Sequence, residues 1–432
     1  MKIRTLILGG GLSGLSSAYH LKRDYLLVER SSQPGGLAQS IHQDGFVFDY
    51  TGHFLHLRNP YTLQLIPKLL GDNLALHKRR SWIYSHRTNI PYPFQANTYA
   101  LPKQVMKDCV AGFIEAQLQH RPAPVRSPES FKSWVLRTFG KGFAKHFFFP
   151  YNRKLWTVPA DVLTAEWVAP FVPRPSVEEI ILGGLAEQTQ TFGYNATFYY
   201  PKRGGIQALP TALANDLKAL RLNTEVTGID LAKKEATLHT GEVIAYEHLI
   251  TTLPLAYFLK IARPLPPEIE HARRLLRWTS LYNLNLGIDR PDLTDKQWIY
   301  FPETKYRFYR VGFPANFSSH TTPSGTSSMY IEVAYQPGHP PDGKTILRQL
   351  LAGLRDGGLL QRRDRIIARK VLHIPVAYVI FDKNCTRSAE TILRYLDHEN
   401  VYSIGRYGAW KYSYMEEAIL DGKTTAERIL GR

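Results

Sequence analysis

A chain of 432 residues is longer than one compact core supports, and 44% hydrophobic with 21% charged residues is ordinary for soluble globular domains. Lys and Arg (54) exceed Asp and Glu (37) by 17, which suits a solvated basic surface, steering of anionic ligands or a transient hold on an anionic membrane. No basic run interleaved with stacking aromatics forms a nucleic-acid module. The two cysteines, Cys109 and Cys385, lie too far apart for a disulfide framework or a structural zinc and point to a reducing cytoplasm; no run is long and apolar enough to span a bilayer.

The first strand is predicted over Ile3 to Leu8 and the first helix over Leu15 to Leu21, with Gly9-Gly10-Gly11-Leu12-Ser13-Gly14 between them. A GxGxxG that leaves a strand and enters a helix lets the backbone turn tightly and approach a pyrophosphate, which rests on the helix N-terminus. A second strand, Tyr25 to Val28, ends in Glu29, twenty residues after Gly9. A carboxylate at that spacing accepts both hydroxyls of an adenosine ribose and disfavours a 2′-phosphate. Arg30 is a further candidate for the adenosine half. These residues predict a dinucleotide site. Next come the paired glycines Gly35 and Gly36 with Leu37, an alternating strand from Phe46 to Tyr50 with Asp49 as a turn-former, and Gly52-His53.

This order of GxGxxG, acidic strand end and GG loop resembles the opening of FAD-binding folds in the amine oxidase and protoporphyrinogen oxidase group. The resemblance covers the first sixty residues and implies FAD as cofactor.

Ser81 to Gln95 predicts two short strands running into a Pro-rich turn, and Pro102 to His120 an amphipathic helix. Ser127-Pro128 reads as an N-cap with an N1 proline, and the helix after it carries Phe131, Trp134, Val135 and Phe139 as a packing stripe. Thr211 to Leu220 looks helical. Asn223 to Asp230 and a strand ending at Leu253 return to the nucleotide fold, where related flavoproteins touch adenine near Val226. Leu286 to Ala334 is strand-rich and aromatic. Tyr402 to Gly408 reads as strand into turn, and Tyr414 to Leu430 as a helix whose start, at Met415, faces the flavin. The fifteen histidines show no metal-ligand pairing, so no metal is expected.

Several middle segments resemble UDP-galactopyranose mutases, the eukaryotic type above all. They are Gly52-His53; Tyr92-Pro93-Phe94-Gln95; Pro150-Tyr151-Asn152 with Trp156; Asn195-Ala196-Thr197-Phe198 leading to Gly204-Gly205; Trp298 to Glu303 with Phe308-Tyr309-Arg310; and Gly405-Arg406-Tyr407-Gly408 with Tyr412. In that family the reduced flavin acts through N5 on the anomeric carbon with no net redox change, so the protein needs positioning and diphosphate stabilisation rather than a catalytic triad. The resemblance implies Arg310 as a bidentate fork on the diphosphate and Tyr300, Tyr378 and Tyr412 as phenol donors. It implies Tyr92, Phe94 and Gln95 around the base, with Asn152, Trp156, Asn195 and Trp298 lining the substrate site. His53 and Arg310 are the candidate catalytic residues. The partners expected are a nucleotide-sugar substrate and a flavin reductant.

Two departures stand out. The family's second diphosphate arginine corresponds to Phe171, with Arg174 as its candidate replacement, and a diphosphate tyrosine corresponds to Phe317. The ending Met415 to Gly422 resembles amine oxidases instead. An FAD-dependent oxidase or dehydrogenase acting on an amine, porphyrinogen or isoprenoid is therefore the alternative, with Phe171 and Phe317 lining an apolar pocket. A protein that keeps FAD structurally is the third reading. The expected architecture is α/β, α+β overall. A Rossmann-like FAD domain is built from 1–80, 200–255 and 385–432, with a mainly helical insertion at 81–199 and a mainly antiparallel-sheet domain at 256–384.

Overall fold

A computed structural model describes residues 1–119, 129–188 and 196–431. Ser127, Pro128 and Asn195 lie outside the described residues. Strand β1 (Lys2–Leu8) is buried from Thr5 onward, because it runs in parallel between β2 (Tyr25–Val28) and the strand Val243–Thr251. Strands covered on both faces carry continuous apolar runs, and Thr5-Leu6-Ile7-Leu8 does so. Helix α1 (Leu12–Leu21) follows at once and packs on the C-terminal helix Met415–Leu430. That contact is tight: a Cβ on Gly422 would lie 2.4 Å from the Ser13 carbonyl oxygen.

The eight-stranded sheet around β1 gathers strands from across the chain, including Val226–Asp230 and Val401–Ser403. It also takes Ala262–Arg263, beyond the predicted domain boundary at 255. The helix expected over Thr211 to Leu220 is shorter, Ala208–Ala214. Leu220–Arg221 instead pairs with β2, because the open side of β2 needs a hydrogen-bonding neighbour.

A second, seven-stranded sheet contains Trp278–Ile288, Trp298–Tyr300, Arg310–Gly312, Ser327–Tyr335 and Ile366–Val379. Ser81–Ser85 and Thr88–Pro91 complete it, through parallel pairing of Ser81–Ser85 with Trp298–Tyr300. The boundary at 81 thus assigned this hairpin to the helical part, whereas a partner more than two hundred residues away draws it into the sheet. The helical part begins at Lys103–Gln119 and continues through Phe131–Phe143 and Phe149–Trp156. Phe131, Trp134, Val135 and Phe139 belong to its buried core.

Asp49 is not a turn-former. It ends the strand Phe46–Asp49 in a buried position, where Ser40 Oγ and Tyr200 Oη donate to its carboxylate at 2.6 and 2.7 Å. Burial pushes its pKa up to about 6, against those two hydrogen bonds.

Candidate functional site

One cavity of about 950 Å³ runs from the β1–α1 turn to the second sheet and the helical part. At its nucleotide end the two glycine loops touch. Gly35 N donates to Gly10 O at 2.7 Å, and a Cβ on Gly36 would lie 3.2 Å from the Gly11 Cα. Gly9 turns the chain at φ +97°, a conformation that favours glycine. Helix α1 has no side-chain cap, so its first-turn N–H groups face the cavity as anion donors. The Glu29 carboxylate accepts from Gly10 N at 2.7 Å and from Ser31 N at 2.8 Å, which leaves its remaining lone pairs for two vicinal hydroxyls. These features suit a flavin adenine dinucleotide.

The cavity wall brings together Gly9, Gly11, Leu12, Ser13, Glu29, Arg30, Gly35, Gly36, Leu37 and Val226 at this end. Gly52, His53, Gly405, Arg406 and Met415 follow, and then Tyr92, Gln95, Asn152, Trp298, Tyr300, Arg310, Tyr378 and Tyr412. Gly14 does not line it. A Cβ there would sit 2.0 Å from the Gly9 carbonyl oxygen, so Gly14 serves the close crossing of α1 over β1.

Two of the substrate-site residues are corrected. Phe94 is fully buried and stacks on Phe147 with centroids 4.9 Å apart, so it belongs to the helical core and has no face toward the cavity. Trp156 is also fully buried. Its Nε1 donates to Asn152 Oδ1 at 3.0 Å, and its ring stands behind Tyr378 and Tyr412 as backing. Asn152 lines the cavity, yet its Nδ2 donates to Phe148 O, so both ends of its amide are engaged by residues one helical turn before and after it.

Arg310 faces the cavity from the strand Arg310–Gly312, directly opposite Glu332 in antiparallel register. Nε and Nη2 donate to the two Glu332 oxygens at 2.9 and 2.7 Å, leaving Nη1 without a hydrogen-bond partner among the described residues. Burial works against a charged Arg310, but the Glu332 carboxylate together with the phenols of Tyr330, Tyr378 and Tyr309 raises its pKa well above the ordinary arginine value. The fork expected for a ligand is therefore already half used. Glu332 itself is 0% exposed. Its signal in the sequence was a lone carboxylate in the otherwise uncharged run Ser327 to Tyr335, alternating with Tyr330 on one face of the strand.

Arg406 donates to the Ser413 carbonyl and lies over the rings of Tyr412 at 4.9 Å and Tyr378 at 5.3 Å. Burial raises the pKa values of Tyr92, Tyr378 and Tyr412, which keeps all three phenols as donors. Tyr151, passed over as a site residue, lines the cavity and meets Tyr300 edge-on at 5.5 Å. Gln95 donates to Pro173 O at 2.7 Å, while its Oε1 is buried without a partner.

The two phenylalanines part company. Phe171 lines the cavity with its ring edge-on to Tyr412 at 4.4 Å. Phe317 is buried against Phe54 and Tyr200 and does not reach the cavity. Arg174 is exposed and does not line the cavity either, so it leaves the position of Phe171 apolar.

Burial, with Arg406 and Arg310 nearby, lowers the pKa of His53 to about 4, and burial does the same for His56. An unfolded histidine takes up its proton near 6.5, so between pH 4 and 6.5 the unfolded chain binds more protons and stability is lost on acidification. Asp49 acts in the opposite sense, since the folded chain keeps its proton up to about 6. His53→Gln is expected to flatten the fall in urea midpoint between pH 6.5 and 4. A fall as steep as that of the unaltered protein would show that His53 is not held neutral by burial.

The flavin containing amine oxidoreductase family matches residues 12–430. Coproporphyrinogen III oxidase of Bacillus subtilis (strain 168) is 22% identical over 403 residues, covering 86% of this chain and 82% of that protein. The crystal structure of a reduced UDP-galactopyranose mutase superposes with a TM-score of 0.93 at 27% identity, covering 100% of this chain and 94% of the other. A putrescine oxidase variant shares the fold, with a TM-score of 0.71 at 15% identity and full coverage of both chains. No helix among the described residues is long and apolar enough to cross a membrane.

Proposed function

Since the chain belongs to the flavin containing amine oxidoreductase family and its cofactor is FAD, we propose that it is a flavin-dependent mutase interconverting the pyranose and furanose forms of a nucleotide sugar. The observation that carries this reading is Arg310 on the cavity wall, held cationic by Glu332 and accompanied by Tyr300, Tyr378 and Tyr412. The 0.93 superposition on a UDP-galactopyranose mutase supports it.

Bound in its reduced form, the flavin supplies a nucleophilic N5 for the anomeric carbon. The residues of the chain supply the rest. Arg310 Nη1 and the phenols of Tyr378 and Tyr412 hold the diphosphate and stabilise its charge as it leaves. Neutral His53 adds no positive charge beside Arg310 and Arg406, so it accepts or donates a hydrogen bond without competing for the anion. Tyr92 offers a ring face to the base, and the unpartnered Gln95 Oε1 accepts from an N–H on its edge.

With dithionite-reduced enzyme under anaerobic conditions, UDP-, GDP- and TDP-hexoses are each offered and ring-size isomers separated by chromatography. One nucleotide sugar is expected to isomerise with reduced enzyme only, and its nucleotide diphosphate to raise the melting temperature. No isomer from any of them would overturn the mutase reading. A second reading, an oxidase or dehydrogenase, is favoured by Phe171 standing apolar against Tyr412. It requires flavin reduction by an amine, porphyrinogen or isoprenoid and indifference to nucleotide diphosphates.

A further inference from the structure

The strand Ile366–Val379 lies at the edge of the seven-stranded sheet and, among the described residues, pairs only with Trp278–Ile288. Its first residues and the turn before it hold Arg362, Arg363, Arg365, Arg369 and Lys370 against the single carboxylate Asp364. Asp364 is engaged by Arg290, and Arg365 by Asp289. Asp44 is the carboxylate that the neighbouring hairpin brings close, beside Gln43, which donates to Arg369 O. Arg362, Arg369 and Lys370 have no carboxylate within ion-pair distance among the described residues.

Amid these cations the ladder breaks register. Ile288 pairs with Ile366 and Gly287 with Ala368, so Ile367 is the extra residue of a bulge. Ile366 and Ile367 are 37% and 44% exposed. A charged, bulged edge already discourages strand addition, and that purpose alone calls for polar side chains at the bulge. Two adjacent exposed isoleucines framed by arginines combine instead the two attractions that an anionic bilayer surface offers, headgroup phosphates and a shallow apolar layer. The excess of 17 cations over the whole chain acts in the same direction.

We propose that this edge docks the enzyme on an anionic phospholipid surface, with Arg362, Arg369 and Lys370 on the phosphates and Ile366 and Ile367 in the interface. The same strand runs on into the cavity wall, which His373, Pro375 and Tyr378 line. Arg369 and His373 are four positions apart along the extended strand, about 13 Å. Docking therefore sets the cavity wall close to the headgroups.

The test is co-sedimentation of the full-length FAD-loaded enzyme with phosphatidylcholine vesicles, with and without phosphatidylglycerol, at low and high salt. Binding is expected only with phosphatidylglycerol and is lost at high salt. The double variant R362E/R369E is expected to bind at least roughly tenfold more weakly. I366S/I367S should also weaken binding and make it more salt-sensitive. Flavin absorbance and melting temperature should match the unaltered enzyme in both. Equal binding to neutral vesicles, no binding at all, or undiminished binding of R362E/R369E would each overturn the proposal. So would light scattering that shows a dimer split by the same variant while vesicles are ignored, since the edge would then be a protein interface.

Discussion

Arg310→Ala is expected to lower nucleotide-diphosphate affinity about a hundredfold, the order set by losing charge-assisted hydrogen bonds worth about 1.5–3 kcal/mol each. It is also expected to destabilise the fold, because the fully buried Glu332 carboxylate would lose the guanidinium it is paired with. Breaking a buried pair from one side costs about 3–5 kcal/mol. The two effects separate in the double variant R310A/E332Q. A neutral amide removes the orphaned charge, so the urea midpoint should recover most of its loss while the diphosphate still fails to bind in calorimetry. Recovery of binding along with stability would mean that Arg310 only neutralises Glu332. Arg310→Lys sharpens the point. An ammonium keeps the charge but cannot serve Glu332 through two parallel N–H bonds and still present a third donor in the same plane.

Gly14→Ala is expected to yield protein purified without flavin. The new Cβ would stand 2.0 Å from the Gly9 carbonyl oxygen and 3.2 Å from its carbon, atoms of the backbone turn itself, so α1 must retreat from β1. Little room exists behind it, because the C-terminal helix already approaches Ser13 O at the position of Gly422. Overpacking of this kind costs about 3 kcal/mol, and it displaces the N–H groups of Leu12 and Ser13 that face the cavity. Flavin absorbance per mole of protein reads the result, with Gly343→Ala as control. Gly343 has open space at its Cβ position and begins the helix Gly343–Asp356, where alanine is at least as favourable. Full flavin content in Gly14→Ala would show that the turn tolerates a side chain.

The nucleotide end of the cavity was legible in the sequence because its geometry is local. Gly9, Gly11, Gly14 and Glu29 belong to one strand-turn-helix-strand unit, in which a backbone turn, a helix N-terminus and a strand end are dictated by neighbours in the chain. The aromatic stripe of Phe131–Phe143 was legible for the same reason, since helical spacing alone puts Phe131, Trp134, Val135 and Phe139 on one face. Resemblance to a family extended that reading to Arg310, Tyr378 and Tyr412, which the structure brings to one wall.

The tertiary structure alone decided which side of a wall a residue occupies and which partner it meets. Phe94 lies between Tyr92 and Gln95, two cavity residues, yet the stacking of Phe147 turns it into the core. Glu332 meets Arg310 because two antiparallel strands align in that register, and one residue of slip would put it on the opposite face of the sheet. The hairpin Ser81–Ser85 and Thr88–Pro91 joins a sheet whose other strands come from far along the chain. Propensity and spacing act over a few residues and so determine turns, helix faces and strand ends. Register and burial arise from contacts between segments distant in sequence, and only the assembled fold supplies them.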